Sequence, residues 1–358
     1  MNRKVETAIK SIGKPLFAIF VSLLIGALLI IPTGTSPLEA YGILFMGAFG
    51  SWQGITTSLA YATPLLFTGL GAAYAFRAGV FNIGLEGQMY FGAIAAALVG
   101  VYAKALPGPI HILLCIGAAM LAGMLWSIIP AILKIRYNIG VFITYIMFNN
   151  IAQLFSDYLA AYPFKGELSI AATYKVSEKV FLPKLAGEMI DLNFGFILAI
   201  ILAVALYFLL FKTQFGYESR AAGINAGFTE YMGVNAVKKM LIVVMISGGI
   251  AGLAGAEQVL GVTHRYMSGF SPGFGYTGIT VALLARTNPL ACIITAIFFG
   301  ALNNGAIQME IFTNISRDLV TSIQAIMIIF IAADFAWKKR KTTKKQDEQK
   351  AESKKEVA

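Results

Sequence analysis

Asn82, Glu86 and Gln88 crowd a short glycine-rich interruption, Arg77-Ala78-Gly79-Val80-Phe81-Asn82-Ile83-Gly84-Leu85-Glu86-Gly87-Gln88-Met89, which separates two long apolar stretches. A carboxylate and two primary amides near membrane depth cost on the order of several kcal/mol unless protein, water or a solute meets them. Residues of these types are therefore candidates for a polar passage. Tyr145, Asn149 and Gln153 form a second group, spaced four apart so that one helical face carries an aromatic ring and two amides. Such a face can stack against a flat solute and hydrogen-bond its hydroxyls. The competing reading of each amide is interhelical hydrogen bonding that only holds a bundle together. Glu86 has a bland alternative of its own, a carboxylate in the first turn of the following helix, where it complements the helix dipole.

Other chemistry is missing from the chain. There is no Gly-x-x-x-x-Gly-Lys-Ser/Thr with which to cradle a nucleotide, so any ATP must be bound by a partner. Both histidines, His111 and His264, stand far apart without the spacing of metal ligands, and Cys115 and Cys292 lie singly within apolar stretches. No Gly-x-Ser-x-Gly occurs either. The expectation is a chain that is not an enzyme and has no metal, disulfide or resident cofactor.

The elements that must position these residues are membrane spans. Hydrophobic residues make up 58% of the 358, charged residues 13%, and the mean hydropathy is +0.73. That composition describes an all-α polytopic membrane protein. A length of about 20 apolar residues per crossing yields about ten spans, near 16–31, 57–76, 84–103, 110–133, 139–157, 192–211, 239–260, 274–286, 290–309 and 319–337. With the amino terminus inside, alternate loops place Arg77, Lys134 with Arg136, Lys212 through Lys239, Arg286 and Lys338 onward in the cytoplasm, as the positive-inside rule requires. Both termini then face the cytoplasm. Segment 36–56 is broken by Gly42, Gly47, Gly50 and Gly54 and reads as an interfacial or re-entrant helix, because an eleventh span would reverse every later loop. The formal net charge of +10 does not indicate nucleic acid: residues 338–358 hold nine basic and four acidic side chains, a solvated tail that can touch anionic lipid.

Two further stretches carry pattern. Ser247-Gly248-Gly249-Ile250-Ala251-Gly252-Leu253-Ala254-Gly255 repeats small residues at i and i+4, a spacing that lets helix backbones approach closely. The cytoplasmic loop 212–239 reads as two short helices joined at glycines, a surface element able to dock on a soluble partner. Its run Arg220-Ala221-Ala222-Gly223-Ile224-Asn225 resembles the coupling loop of ATP-binding-cassette (ABC) importer permeases of the sugar, nucleoside and branched-chain amino acid group. Asn82-Ile83-Gly84-Leu85-Glu86-Gly87-Gln88-Met89 resembles the signature of the nucleoside and simple-sugar branch, and Gly275-Tyr276-Thr277-Gly278 and Asn288-Pro289-Leu290 follow in the same order. One departure stands out: Gly140-Val141 occupies the place where relatives of this branch commonly carry an asparagine-glutamate pair, which bears on substrate identity.

The resemblance implies a type II ABC importer-like fold in a bacterial cell membrane. It implies a short cytoplasmic amino terminus (1–15), a permease domain (16–337) and the basic cytoplasmic tail (338–358). It also implies a cytoplasmic ABC ATPase that binds the ATP, a second homologous permease subunit and an extracytoplasmic solute-binding lipoprotein. Nucleosides are the expected substrate, a simple sugar the alternative, and a secondary transporter the reading from another class, which would show paired intramembrane carboxylates. Asn82, Glu86, Gln88, Tyr145, Asn149 and Gln153 are then expected along the substrate pathway. Arg220, Gly223, Asn225 and Gly233 are expected at the ATPase coupling surface, with Gly223 permitting a tight turn and Arg220 meeting the ATPase.

Overall fold

The structure, a computed structural model, describes residues 19–187, 189–313, 315–326 and 329–330. The segments 1–15 and 338–358 lie outside the described residues, as does the end of the tenth expected span. The described chain is helical: α1 (19–30), α2 (Pro37–Phe49), α3 (Trp52–Arg77), α4 (Leu85–Tyr102), α5 (Gly108–Tyr137), α6 (Val141–Ala161), α7 (Gly195–Lys212), α8 (Gln214–Ile224), α9 (Ala226–Tyr231), α10 (Ala236–Glu257), α11 (Phe274–Leu284), α12 (Pro289–Phe312) and α13 (317–326). Extended pairing among the described residues is confined to two isolated bridges, Ala172 with Met267 and Lys184 with Asn193.

A helix lies at each of the ten expected places, but length and hydropathy together qualify fewer of them. Among the described residues six are long and apolar enough to cross a membrane, and the number rises to seven if a bent pair counts as one span. That pair is Ile19–Thr33 and Pro37–Phe49, bent by 114°, so part of the glycine-broken stretch 36–56 is a helix turned sharply away from the first. The tenth place is described only in part, and at two others the reason is physical. α11 has only 11 residues, about 16 Å at 1.5 Å each, roughly half a hydrocarbon core. α6 is long enough, but Asn149, Asn150, Gln153 and Asp157 dilute its apolar character.

The chain divides into two compact units. In the smaller, formed by the residues before Phe45 and after Gly305, Ile30, Ala40, Met309, Ile315 and Val320 share a small apolar core, and the Tyr41 hydroxyl donates to the Leu23 carbonyl at 2.7 Å. In the larger, Phe45–Gly305, the less apolar helices lie inside. The moderately apolar α3 and α4 are mostly buried, whereas the strongly apolar α5 and α7 are mostly exposed. Burying the more polar helices behind the more apolar ones is what a hydrocarbon solvent demands.

The small residues of α10 serve packing. α4 lies so close that a Cβ at Gly92 would stand 2.5 Å from the Gly252 Cα, and a Cβ at Gly248 would meet Ser127 of α5 at 2.6 Å. Beyond Glu257 the helix continues as a π-helical turn, Gln258–Thr263, and then becomes irregular. The loop after α6 satisfies this irregular backbone: Leu182 donates to Leu260 O at 3.0 Å, Val176 to His264 O at 2.9 Å and Thr173 to Tyr266 O at 3.0 Å.

α3 stops at Arg77 in a Schellman motif. Gly79 takes φ +76° and donates to Phe76 O at 3.1 Å, while Val80 donates to Ala75 O at 2.9 Å. The chain then turns back alongside α3 before α4 begins, since a Cβ at Gly71 would stand 3.2 Å from the Leu85 side chain. Gly71 precedes the end of α3 by six residues, or about 9 Å of helix rise, so α4 starts within the bundle.

Candidate functional site

Two helix starts meet at Glu86. Its place in the first turn of α4 agrees with the dipole argument, but its carboxylate reaches across to α11 as well. One oxygen accepts from Ser271 Oγ at 2.6 Å and the other from the Gly275 amide at 2.6 Å. Ser271 Oγ in turn accepts from the amides of Gly273 and Phe274 at 3.2 and 3.1 Å. The carboxylate thus satisfies donors that the start of α11 would otherwise leave unpaired and lies where the positive ends of two helix dipoles converge. A Cβ at Gly275 would stand 2.6 Å from the Glu86 Cα, so the two starts are in backbone contact.

Asn82 and Gln88 close a second ring of bonds beside it. Their amides pair reciprocally at 2.9 and 3.0 Å, Asn82 Nδ2 also donates to Ser247 Oγ at 2.9 Å, and Ser247 donates on to Gly71 O at 2.8 Å. Both amides are fully buried. This lattice ties the break to α3 and α10, and both donors of the Asn82 amide are spent within the protein. Asn149 pins the same break from α6: Oδ1 accepts from the Gly87 amide at 3.0 Å, and Nδ2 donates to Ile83 O at 3.1 Å and to the Tyr276 hydroxyl at 3.2 Å.

The spacing-four expectation for α6 places Tyr145, Asn149 and Gln153 together, and the structure refines their parts. Tyr145 is 3% exposed, with its ring against the backbone of Gly84, so it presents no face to a solute. Gln153, one turn beyond Asn149, is half-buried. Five of the six residues expected along the pathway, Asn82, Glu86, Gln88, Tyr145 and Asn149, gather around the start of α4, and Gln153 extends the face.

The loop 212–239 meets this break. α8 and α9 are joined at Asn225, in extended conformation, rather than at a glycine; its side chain accepts from the Phe228 amide at 3.0 Å and caps α9. Asparagine supplies the cap oxygen that glycine lacks. Gly223 is likewise not a turn residue. It lies within α8, where a Cβ would press on the Ala78 carbonyl and stand 2.7 Å from the Gly79 Cα. The absent side chain permits a backbone-to-backbone contact between loop and break. Gly233 does make a turn: at φ +81° it ends α9 in a second Schellman motif, with Val234 donating to Thr229 O at 3.2 Å.

Arg220 is half-buried, its guanidinium 5.2 Å from the centre of the Phe211 ring, which Arg77 approaches at the same distance. Glu218 binds Lys239 of α10 at 2.7 Å and accepts from Gln214 at 2.8 Å, bonds that hold its carboxyl below the usual carboxylate range. Outward, α8 and α9 expose Tyr217, Ile224, Phe228 and Tyr231.

The chain matches the family described as the branched-chain amino acid transport system permease component over residues 54–332. It belongs to that family. It is 36% identical over 330 residues to the guanosine ABC transporter permease protein NupP of Bacillus subtilis, covering 90% of this chain and 93% of the relative. It is 31% identical to the glucose ABC transporter permease protein TsgB13 of Haloferax volcanii, covering 92% and 89%, and 31% identical to the nucleoside ABC transporter permease protein NupB of Lactococcus lactis, covering 90% and 90%. An ABC transporter permease of several membrane-spanning helices is what fold and family together establish.

Sequence reasoning missed four residues of the site. Ser271, Gly275 and Tyr276 supply the α11 side of the junction, and the run Ser271-Pro272-Gly273 before an apolar stretch is a helix-start signal that could have located it. Ser247 was hidden within a stripe of small residues that does serve packing. A separate buried cluster lies where α10 turns π-helical: Glu257 accepts from Asn193 at 2.7 Å and from Gln258 at 2.8 Å, and Asn193 accepts from the Gly195 amide at the start of α7.

Proposed function

We propose that this chain is the membrane-spanning subunit of an ATP-driven importer of nucleosides in a bacterial cell membrane, crossing about ten times in a type II importer-like arrangement with both termini cytoplasmic. It pairs with a second homologous permease subunit, receives solute from an extracytoplasmic solute-binding lipoprotein and is driven by a cytoplasmic ABC ATPase. The observation that carries the reading is the contact between Gly223 and Ala78–Gly79, because it joins a loop with an exposed apolar surface to the break that holds Asn82, Glu86 and Gln88. ATPase closure against α8 and α9 would press on the break directly and shift the junction of α4 with α11 between outward-open and inward-open arrangements.

Nucleosides are favoured over sugars by the named substrates of NupP and NupB, against glucose for TsgB13. The polar groups at the junction are mostly bonded to one another, which suits a passage that must release what it receives. The test is uptake by the four-component assembly in liposomes with ATP inside. Labelled inosine or uridine should accumulate only with hydrolysable ATP, and unlabelled nucleosides should compete. Competition by glucose or ribose alone would assign the sugar reading, and uptake by the chain alone under an ion gradient would replace the importer with a secondary transporter.

A further inference from the structure

We infer that Tyr276 is the aromatic surface on which the nucleobase stacks during passage, an inference that rests on the nucleoside reading above. Several rings lie on the elements that meet at the junction. Tyr90, Tyr145 and Phe274 are 1%, 3% and 4% exposed, whereas Tyr276 is 43% exposed. Exposure alone would fit a ring turned to lipid, but the surroundings of this one are polar. Its hydroxyl accepts a bond from Asn149 Nδ2 at 3.2 Å, and the preceding residue, Gly275, donates its amide to the buried Glu86 carboxylate. The backbone leading to it, residues 264–273, forms no α-helix, and irregular backbone at membrane depth is tolerated where it faces protein or a water-filled cavity. Tyr276 therefore stands at the first turn of a half-length helix, on the side that water or solute can reach.

Two features suit the ring to stacking. Asn149 is itself fixed by Gly87 and Ile83, so the bond to the hydroxyl holds the ring in one orientation before a base arrives. Gln153, half-buried on the same face of α6 as Asn149, supplies an amide for ribose hydroxyls. Phe81, exposed on the break, is a poorer candidate because its ring packs against Phe76 at 4.8 Å between centres and has no tie to Asn149. Stacking on an aromatic face tolerates purines and pyrimidines alike, since every base offers a π-face. A Tyr276 platform thus predicts a transporter of broad base specificity.

The experiment reads the permease's own contact with the solute. The assembled permease–ATPase complex, without the solute-binding lipoprotein, is placed in lipid nanodiscs with millimolar inosine, and saturation transferred from protein to ligand protons is measured by NMR. Base protons H2 and H8 should receive at least twice the saturation of the ribose protons. Tyr276→Leu should abolish that preference and weaken inosine binding by about 10- to 100-fold, while Tyr276→Phe, which keeps the ring, should retain the base-proton preference. Equal saturation of base and ribose in the wild type, or an unchanged base preference in Tyr276→Leu, would overturn the inference. Loss of binding with Tyr276→Phe as complete as with Tyr276→Leu would also overturn it, because it would show that the hydroxyl acts and the ring does not. No transfer to inosine together with clear transfer to glucose or ribose would instead defeat the nucleoside reading.

Discussion

Replacing Gly223 with alanine inserts one methyl group between the loop 212–239 and the break. Added to the present backbone, that carbon would press on the Ala78 carbonyl oxygen and lie 2.5 Å from its carbon and 2.7 Å from the Gly79 Cα. Carbon atoms rest about 3.5–4.0 Å apart, so α8 must recede from the break by roughly 1 Å. Neither partner can yield by changing a rotamer, because all the opposing atoms are backbone. Overpacking of this kind costs about 1–3 kcal/mol, which shifts an equilibrium that requires the tight contact by about 5- to 150-fold.

The strain falls on communication, so the quantity to measure is solute imported per ATP hydrolysed. With the assembly in liposomes, Gly223→Ala should still insert, assemble and hydrolyse ATP, while import per ATP drops by about tenfold, within the range set by the packing cost. Gly79→Ala should be worse, since it meets the same contact from the other side and also forces φ +76° on a residue with a Cβ. Wild-type coupling in Gly223→Ala would refute the transmission route, and loss of assembly in both variants would assign the contact to folding.

Glu86→Ala should lower the stability of the purified complex by about 1–3 kcal/mol, read from thermal unfolding, because the Gly275 amide and the Ser271 hydroxyl lose their acceptor; an unchanged midpoint would mean that water replaces the carboxylate freely. Burial first, and then Lys175 and Lys184, hold the His264 imidazole below its ordinary value. Its folded pKa is therefore depressed, and the unfolded state takes up the proton first. Stability on this account is full above about pH 6.5 and declines as pH falls through that value. His264→Gln should flatten the decline between pH 7.5 and 5.5, and an identical slope in both proteins would exclude His264 as its source. Glu218 carries the opposite sign: its bonds to Lys239 and Gln214 depress a carboxyl, so the tie between α8 and α10 holds at neutral pH and weakens only in acid below the usual carboxylate range. Import per ATP should thus be level from pH 6 to 8 as far as Glu218 is concerned, and Glu218→Gln should lower it across that whole window.

Where an apolar run or a small-residue repeat decides the local outcome, the sequence was sufficient. The stripe Ser247 to Gly255 does bring α4 and α5 against α10, and Tyr145 and Asn149 do share the buried face of α6, because helical periodicity converts spacing into direction. Glu86 was less legible. Its position in the first turn of α4 is local information, but its second partner is nearly 190 residues away, and no periodicity in either segment announces the other. Tyr145, expected to offer its ring to a solute, fails for the same reason: only tertiary packing makes it 3% exposed while Tyr276 is 43% exposed.

Gly223 shows the limit most sharply. In a sequence, a glycine in a polar loop reads as a turn, since conformational freedom is the local property that distinguishes it. The second property, having no side chain, matters only against a surface that the sequence does not display. Here that surface is the backbone of Ala78 and Gly79, which the Schellman turn at the end of α3 holds in place. Both segments carry a glycine at the contact, so neither can be read as a docking residue without the other. The same chemistry that leaves the pairing invisible in the sequence makes it a stiff linkage, for two backbones in direct contact have no side-chain rotamers through which a push from the loop could be dissipated before it reaches Asn82 and the start of α4.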